Sequence, residues 1–252
     1  GSGKIGRGNR YYYQLPNIHP LEMEKARLPL DPYVFGAWLG DGSTGVAAIT
    51  HAQGEKEVVQ EIIRRGYKMS AFSVHKDTGC ITARFAGKMS EGLSNTGVRY
   101  DKGIPDMYKY SSIEQRSELI AGLVDTDGHV EQASGRVRIV TGSKGLAEDI
   151  YEVASSLGCR PYISYQEPSL SSSGIQGKKR IYTVGFQPSV YIPTRLLRKA
   201  IDGSGVRRRV AIQSVRYCKA VAGNCITVDS PDGLYLVGKS LIPMHNSLHV
   251  SW

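Results

Sequence analysis

The sequence has few cysteines and no long apolar run. Four cysteines occur in 252 residues, and none of them forms a close C-x-x-C pair. This usage excludes a disulfide framework and a cysteine-rich zinc site, and it predicts a reducing, intracellular setting. The longest apolar runs, such as residues 119–124, are far short of the roughly 20 residues that cross a bilayer, so the sequence predicts no membrane-spanning segment.

Acidic residues are also under-represented. The chain has 32 Lys and Arg against 23 Asp and Glu, which gives a formal net charge of +9. This excess favours a polyanionic partner without saying which one, and a solvated basic surface is the alternative. The apolar fraction of 40% is ordinary for a globular protein, and the length allows one large domain or two smaller ones.

Two apolar segments end in the same way and are followed by the same order of elements. Asp31-Pro32 predicts a helix over residues 33–39 that ends at Gly40-Asp41-Gly42, and Ser111-Ser112 opens a second helix that ends at Asp127-Gly128. After each helix the pattern predicts a strand or hairpin, an amphipathic helix, a glycine and two strands. The later elements are predicted at residues 48–50, 56–65, 67–75 and 80–85, and again at 138–141, 146–157, 160–165 and 180–186. The sequence therefore predicts an internal duplication.

Each of the two helices ends in an acid. A carboxylate at a helix C-terminus is unfavourable by ~0.3–1 kcal/mol unless a cation offsets it. Gly36 and Gly40 form one small-residue stripe, and Ala121 with Asp125, or Gly122 with Thr126, forms a matching one. Close packing of these stripes would place Asp41 beside Asp127, and paired carboxylates favour Mg²⁺. The alternative is that both acids only mark Asp-Gly turns at helix ends.

The two helix segments resemble the paired motifs of LAGLIDADG homing endonucleases. The residues that carry the resemblance are Phe35-Gly36-Ala37-Trp38-Leu39-Gly40-Asp41-Gly42 and Leu119-Ile120-Ala121-Gly122-Leu123-Val124-Asp125-Thr126-Asp127-Gly128. The first segment departs from the motif at Leu39, where the second has Asp125. The resemblance covers residues 21–203, with repeats at about 31–100 and 111–203. It implies an α+β fold of two αββαββα units whose sheets form a saddle on duplex DNA.

The resemblance also implies the residues of a DNA-cleaving site. Asp41 and Asp127 would bind Mg²⁺ or Mn²⁺ and activate water, with Gly40 and Thr126 as neighbouring metal ligands. Lys102, in Lys102-Gly103-Ile104-Pro105, would support the attacking water or the phosphate charge; a surface lysine is the alternative, and the second repeat offers no equivalent. Alternating strand residues would read the DNA groove. These candidates are Ser73, His75, Thr82, Arg84, Arg136, Arg138, Arg180 and Tyr182.

The C-terminal residues form a different pattern. Short strands are predicted at residues 224–228, 234–238 and 241–244, with a turn at 229–233, and His245-Asn246-Ser247 follows. This order resembles the terminal splicing blocks, or Hint-domain strands, of inteins. The resemblance implies that Asn246 cyclises, that His245 assists as an acid, and that Ser247 is the nucleophile of the flanking host protein. Cys225 is either a splicing nucleophile, an assisting group or a buried strand cysteine.

The predicted domains are a linker or splicing-domain remnant at 1–20, the endonuclease at 21–203, the splicing segment at 204–246 and the C-extein at 247–252. The N-terminal splicing block is missing, which predicts a split or truncated intein that needs an N-terminal intein fragment. The predicted protein is a monomeric endonuclease of the cytoplasm of a host or phage-infected cell, with double-stranded DNA and a host extein as partners. Two alternatives are a free-standing LAGLIDADG endonuclease or maturase and a non-catalytic DNA-binding relative.

Overall fold

The computed structural model describes residues 13–168, 179–201, 210–212, 217, 219, 222 and 226–245. The chain divides into two compact units. The larger unit comprises Pro20–Val206, and the smaller one combines Gly1–His19 with Arg207–Trp252. None of the helices among the described residues has the length and apolar character that a membrane span needs.

The helices and strands lie in the following order. They are β1 (Gln14–Leu15), α1 (Pro32–Asp41), β2 (Ala48–His51), α2 (Lys56–Arg64), β3 (Met69–Val74), β4 (Ile81–Phe85), α3 (Lys88–Asn95), α4 (Asp106–Lys109), α5 (Ile113–Asp125), β5 (Gly128–Glu131), β6 (Arg136–Thr141), α6 (Lys144–Ser156), β7 (Tyr162–Gln166), β8 (Ile181–Phe186), β9 (Val210–Ala211), β10 (Leu234–Val237) and β11 (Ile242–His245).

Helices α1 and α5 pack along each other at the centre of the larger unit. Asp31 caps α1 by accepting from the amides of Tyr33 (3.0 Å) and Val34 (3.3 Å), and Ser112 caps α5 in a capping box. A methyl group on Gly36 would overlap the carbonyl oxygen of Leu119, and one on Gly122 would overlap that of Tyr33. Only glycine permits this close backbone approach, so the two glycines set the spacing of the helix pair.

Two antiparallel sheets flank the helix pair. The first has the strand order β2-β4-β3, and the second has the order β5-β6-β8-β7. The central strands of the sheets place Ala83, Phe85, Val137, Ile139 and Val184 in the common hydrophobic core. The α+β fold class predicted from the sequence is therefore correct.

The two repeats are not complete copies of αββαββα, and the prediction is wrong in two elements. In the first repeat the strand that would match β5 is reduced to a single bridge between Gly42 and Ile49. Only the residues from Gly42 to Ala47 separate α1 from β2, which is too short for a strand and a hairpin turn. In the second repeat, one 3₁₀ turn at Leu197–Lys199 stands where the first has α3.

The smaller unit contains two antiparallel strand pairs. Strand β1 pairs with β9, with Gln14 opposite Ala211, so residues from before and after the larger unit form one ladder. Strands β10 and β11 form a hairpin with Leu234 opposite His245. The predicted turn is present, with Gly233 at φ +63°. The strand predicted at 224–228 is not formed over the described residues 226–228.

Candidate active site

Both motif acids lie at the same end of the helix pair. Asp41 is the last residue of α1, and Asp127 follows the end of α5. Gly40 packs so closely on Thr126 that a methyl group there would overlap the threonine hydroxyl. Burial, and next the charge of Asp127, raise the pKa of Asp41 to about 6. Burial also raises the pKa of Asp127. The structure thus brings together two carboxylates that repel each other in a poorly solvated place.

Lys102 closes the C-terminal end of α1. Its ammonium donates to the carbonyl oxygens of Leu39 (3.0 Å), Gly40 (2.9 Å) and Gly42 (2.7 Å). These carbonyls have no intrahelical partner, and the positive charge is favourable at the negative end of the helix dipole. Burial lowers the pKa of Lys102 to about 8, against the opposing effect of Asp127 and Asp41. Lys102 is therefore not a surface lysine.

Lys199 occupies the equivalent place in the second repeat, where sequence reasoning found no equivalent. Its ammonium donates to the carbonyl oxygens of Val124 (2.9 Å), Asp125 (2.9 Å) and Thr126 (3.0 Å). Burial lowers its pKa to about 8 as well. The signal was present in the sequence, since Lys199-Ala200-Ile201 has the same form as Lys102-Gly103-Ile104.

The lysines change the expected metal ligands. Gly40 and Thr126 are both predicted as metal ligands. Their carbonyl oxygens each accept a hydrogen bond from a lysine ammonium instead. Among the described residues, no group of three or more His, Cys, Asp or Glu side chains could hold a metal ion. The two carboxylates are hard oxygen donors that a divalent cation would neutralise. The carboxylates of Asp41 and Asp127 therefore fit Mg²⁺ or Mn²⁺ and would be the side chains that hold it.

Asp125 and Leu39 occupy equivalent motif positions but have different environments. Asp125 is fully buried, and its carboxylate accepts from the Tyr33 hydroxyl (2.9 Å) and from the amides of Arg195 (2.7 Å) and Leu196 (3.2 Å). Burial raises its pKa. Leu39 is buried in the apolar core. Asp125 therefore binds the backbone that leads to Lys199. The Leu39 side chain has no acceptor atom and cannot bind a backbone amide in this way.

The open face of the second sheet carries a cluster of basic and polar residues. Arg138 lies between His129 of β5 and Gly185 of β8, and Gly185 in turn lies opposite Tyr162 of β7. The Tyr162 ring covers Gly185, since a methyl group on that glycine would overlap the ring. Arg136 shares this face with Arg138, because it lies two residues earlier in β6.

The open face of the first sheet is already internally bonded. Thr82 is buried, and its hydroxyl is hydrogen-bonded to Thr50 (2.8 Å) and to His75 Nε2 (2.9 Å). Arg84 is exposed and donates to the Ser73 hydroxyl at 3.4 Å. Arg84, Ser73 and His75 are therefore accessible on this face, whereas Thr82 lies beneath its neighbours.

Arg180 and Tyr182 do not share a face of the second sheet with Arg136 and Arg138. Tyr182 lies two residues before the core residue Val184, so it shares the core-facing side of β8, and it packs against the core. The Arg180 guanidinium lies 4.5 Å from the centre of the Tyr165 ring and pairs with Glu167 at 2.5 Å. The register of β6 and β8 places Tyr182 on the face opposite Arg138, and Arg180 lies two residues before Tyr182. Alternation gives two faces and does not say which one is buried, so the sequence alone did not separate these two residues from Arg136 and Arg138.

A cavity of about 580 Å³ opens beside the acid pair. Asp127 and Lys102 line it together with Tyr100, Ser143 and Lys179. The cavity is polar and combines the carboxylates of Asp101 and Asp127 with the ammonium groups of Lys102 and Lys179. Its size and charge suit a phosphate group with its metal ion and water.

The predicted splicing residues belong to the smaller unit. His245 is the last residue of β11. Its ring packs against Gly233, since a methyl group on that glycine would lie only 2.9 Å from His245 Nε2. Asn246, Ser247 and Cys225 lie outside the described residues. His245 is therefore the one residue of this set whose surroundings can be described.

Comparison with known proteins gives a class for part of the chain. Residues 103–188 match the family model described as homing endonuclease. Over 250 residues, the chain is 32% identical to a replicative DNA helicase DnaB of Mycobacterium intracellulare, with 94% of this chain and 38% of the helicase aligned. The chain thus spans less than half the length of that relative.

Several solved structures also resemble this chain in fold. Mesophilic variants of the homing endonuclease I-DmoI have a TM-score of 0.42 at 18% identity, covering 63% of this chain and 88% of theirs. An I-DmoI variant solved with its target DNA and magnesium has a TM-score of 0.41 at 16% identity, with coverages of 63% and 89%. The N-terminal LAGLIDADG domain of DUF199/WhiA has a TM-score of 0.39 at 9% identity, with coverages of 63% and 77%.

Proposed function

We propose that the larger unit is a site-specific homing endonuclease that makes metal-dependent double-strand breaks in DNA. The observation that carries the proposal is the pairing of Asp41 with Asp127, each beside a buried lysine at the end of its helix. A DNA-binding relative without catalysis would have no need for two desolvated carboxylates, which raise the energy of the fold. The match of residues 103–188 to the homing endonuclease family supports the same assignment.

Each residue of the pair of sites has a role that follows from its chemistry. Asp41 and Asp127 would hold the divalent cations, which when bound would lower the pKa of water and neutralise phosphate charge. Lys102 and Lys199 hold the helix ends in place and add positive charge where negative charge develops on each phosphate. The near-twofold arrangement of the two lysines and two acids suits cleavage of two antiparallel strands by one monomer.

In this proposal the DNA sequence is recognised mainly by Arg136 and Arg138 on the open face of the second sheet. Arg84, Ser73 and His75 contact the DNA from the open face of the first sheet. An arginine can bind a guanine edge through two hydrogen bonds, and strand faces of this kind fit the major groove. The net charge of +9 supplies the electrostatic part of DNA binding.

Asp41→Asn and Asp127→Asn test the endonuclease. With a randomised duplex library as substrate and Mg²⁺ present, the unmodified chain should release a defined set of cut duplexes, and each variant should release none. DNA retention in a filter assay should remain, because the acids do not supply positive charge. Asp106→Asn is the matched control, since the Asp106 side chain is 78% exposed and outside the site. Cutting by both active-site variants at the control rate would refute the assignment.

We also propose that the smaller unit is the C-terminal part of an intein splicing domain into which the endonuclease is inserted. The specific support is the β1–β9 ladder, which joins residues on either side of the larger unit. In this proposal residues 1–20 and 204–246 belong to the splicing domain, residues 21–203 to the endonuclease and residues 247–252 to the C-extein. The protein then acts inside the cell, with an N-terminal intein fragment and a host protein as partners.

Ligation tests the splicing proposal. Adding an N-terminal intein fragment fused to a tagged flank should produce the tagged flank joined to residues 247–252, and Asn246→Ala should block release of the intein. Asn95→Ala at the end of α3 is the control. DNA cutting without ligation for every fragment tried would favour the free-standing endonuclease instead.

A further inference from the structure

The segment that carries Lys102 is held by a side chain from the other repeat. Asp149, on α6, accepts a hydrogen bond from the amide of Ile104 at 2.8 Å. Its second carboxylate oxygen lies 2.7 Å from the ammonium of Lys109, which follows on α4. The Asp149 carboxylate of the second repeat thus binds the first repeat's chain at two points, the Ile104 amide and the Lys109 ammonium.

The segment that carries Lys199 is held differently. Asp125 of α5 accepts from the amides of Arg195 and Leu196, which precede Lys199 in the same repeat. Leu39, at the matching position of α1, has no acceptor with which to hold the Lys102 segment. A carboxylate from α6 takes that place, so the two lysines depend on different acids, both in the second repeat.

Asp149 has a close structural neighbour that lacks this contact. Glu152 lies one helical turn further along α6 and also reaches Lys109, at 3.5 Å, and the Tyr110 hydroxyl, at 3.1 Å. The contacts of Glu152 therefore support α4, whereas those of Asp149 support both α4 and the Lys102 segment. Loss of either acid removes a half-buried charge from α6, but only loss of Asp149 frees the Ile104 amide.

We propose that Asp149 is a positioning residue that fixes Lys102 across the repeats and thereby controls cleavage of one DNA strand. The proposal rests on the proposed endonuclease function for its catalytic consequence. Its structural basis is the hydrogen bond from Ile104 to Asp149, which limits where the Lys102 ammonium can lie relative to Asp41 and Asp127. Within the described residues, the Lys199 segment is held by Asp125 and not by Asp149, so the effect should be confined to the site that Lys102 serves.

The experiment compares Asp149→Ala, Asp149→Asn and Glu152→Ala in the full chain. Asparagine keeps one oxygen for the Ile104 amide, and Lys109 keeps Glu152 and Asp106, so this variant should rescue most of the loss. The first readout is hydrogen exchange of the segment 101–106, followed by mass spectrometry. Exchange there should accelerate in Asp149→Ala and stay near the native rate in the other two variants.

The second readout resolves the two DNA strands. A duplex recovered from the randomised library is labelled at either 5′ end and cut under single-turnover conditions with Mg²⁺. Asp149→Ala should slow one strand by ~10–100-fold, as expected for a displaced catalytic group, leaving a nicked duplex. That strand should be the one that Lys102→Met slows, and Glu152→Ala should slow neither.

Two results would overturn the proposal. One is unchanged exchange of segment 101–106 in Asp149→Ala, and the other is equal slowing of both strands, which would indicate a general loss of stability. If the unmodified chain cuts no duplex, the endonuclease proposal fails by itself. The exchange comparison still decides whether Asp149 holds the Lys102 segment.

Discussion

The two repeats share the chemistry at their helix ends but differ in how that chemistry is supported. In both, a lysine donates to three carbonyl oxygens at the end of the motif helix, and an acid follows. The second repeat adds a full four-stranded sheet and the internal acid Asp125. The first has a three-stranded sheet and Leu39 instead.

This difference separates what the site requires from what the fold tolerates. Each helix end needs a cation, because its carbonyls are unpaired and its acid is poorly solvated. The support behind that cation can come from the same helix, as with Asp125, or from another repeat, as with Asp149. The shared part is therefore the place to look for catalysis, and the differing part is where we expect cleavage of the two DNA strands to become unequal.

Among the differences between the two repeats, the largest expected effect comes from removing the lysines one at a time. Lys102→Met and Lys199→Met keep the length of the side chain but remove its charge. Each should slow cleavage of one strand by ~10²–10³-fold, the usual loss when one preorganised donor is removed from a developing oxyanion. Because the lysines serve different helix ends, the two variants should accumulate nicks in opposite strands. Strand-resolved single-turnover kinetics measures this directly.

Lys144→Met is the control for the lysine pair. Its side chain is 71% exposed at the start of α6, so both strands should be cut at the native rate. If Lys102→Met and Lys199→Met slowed the same strand, the twofold relation of the two sites would be wrong. If neither slowed cleavage, the lysines would act only as helix caps.

A smaller effect is expected from the acids on stability. Folding raises the pKa of Asp41 from 3.8 to about 6, so the folded state favours the protonated carboxyl. Stability from this group is fully present below pH 3.8 and is lost as the pH rises through about 6. Asp41→Asn cannot ionise, and without metal it should therefore stabilise the fold by about 1–3 kcal/mol near pH 7.5.

Urea unfolding in a chelator at about pH 7.5 and about pH 4 measures the pH dependence of this gain. The gain should fall to well under about 1 kcal/mol at the lower pH, where Asp41 is protonated in the folded state and only partly ionised in the unfolded state. Asp106→Asn, at an exposed position, should change the free energy of unfolding by less than about 0.5 kcal/mol at either pH. Added Mg²⁺ should stabilise the unmodified chain more than Asp41→Asn. A gain that is equal at both pH values would argue against burial and repulsion as its cause.

Sequence reasoning located the parts of the site that have a local pattern. The apolar helices ending in Asp41 and Asp127, and the lysine before Ile104-Pro105, could be found because their neighbours in the chain carry the signal. Lys199 was missed because no proline follows Ile201, although its three-residue pattern repeats that of Lys102. The support by Asp149 could not be predicted, since it depends on how α6 packs against the chain after Lys102.

The sheet faces show the same limit. Alternation predicted that Arg136 and Arg138 share a face, and that Arg180 and Tyr182 share one, without relating the two strands. The pairing of Val140 with Thr183 and of Thr141 with Tyr182 fixes that relation. Because a shift of one residue exchanges the faces, only the register decides which arginines can contact DNA.

The smallest effect separates two arginines on opposite faces of the second sheet. Arg138→Ala should weaken binding to the selected duplex by about 1–3 kcal/mol if its guanidinium contacts a base edge, and it should relax the sequence preference at that base. Arg180→Ala should cost less than about 0.5 kcal/mol, because this side chain stacks on Tyr165 and pairs with Glu167 on the other face.

Fluorescence anisotropy at fixed salt, with Ca²⁺ in place of Mg²⁺ to limit cutting, measures both variants on the same labelled duplex. Both substitutions remove one positive charge, so a purely electrostatic interface would lose equal affinity from each and show the same salt dependence. Unequal losses, with a changed base preference for Arg138→Ala alone, would assign the open face of β6 to the DNA. The reverse order would mean that the DNA lies against the opposite face of the sheet.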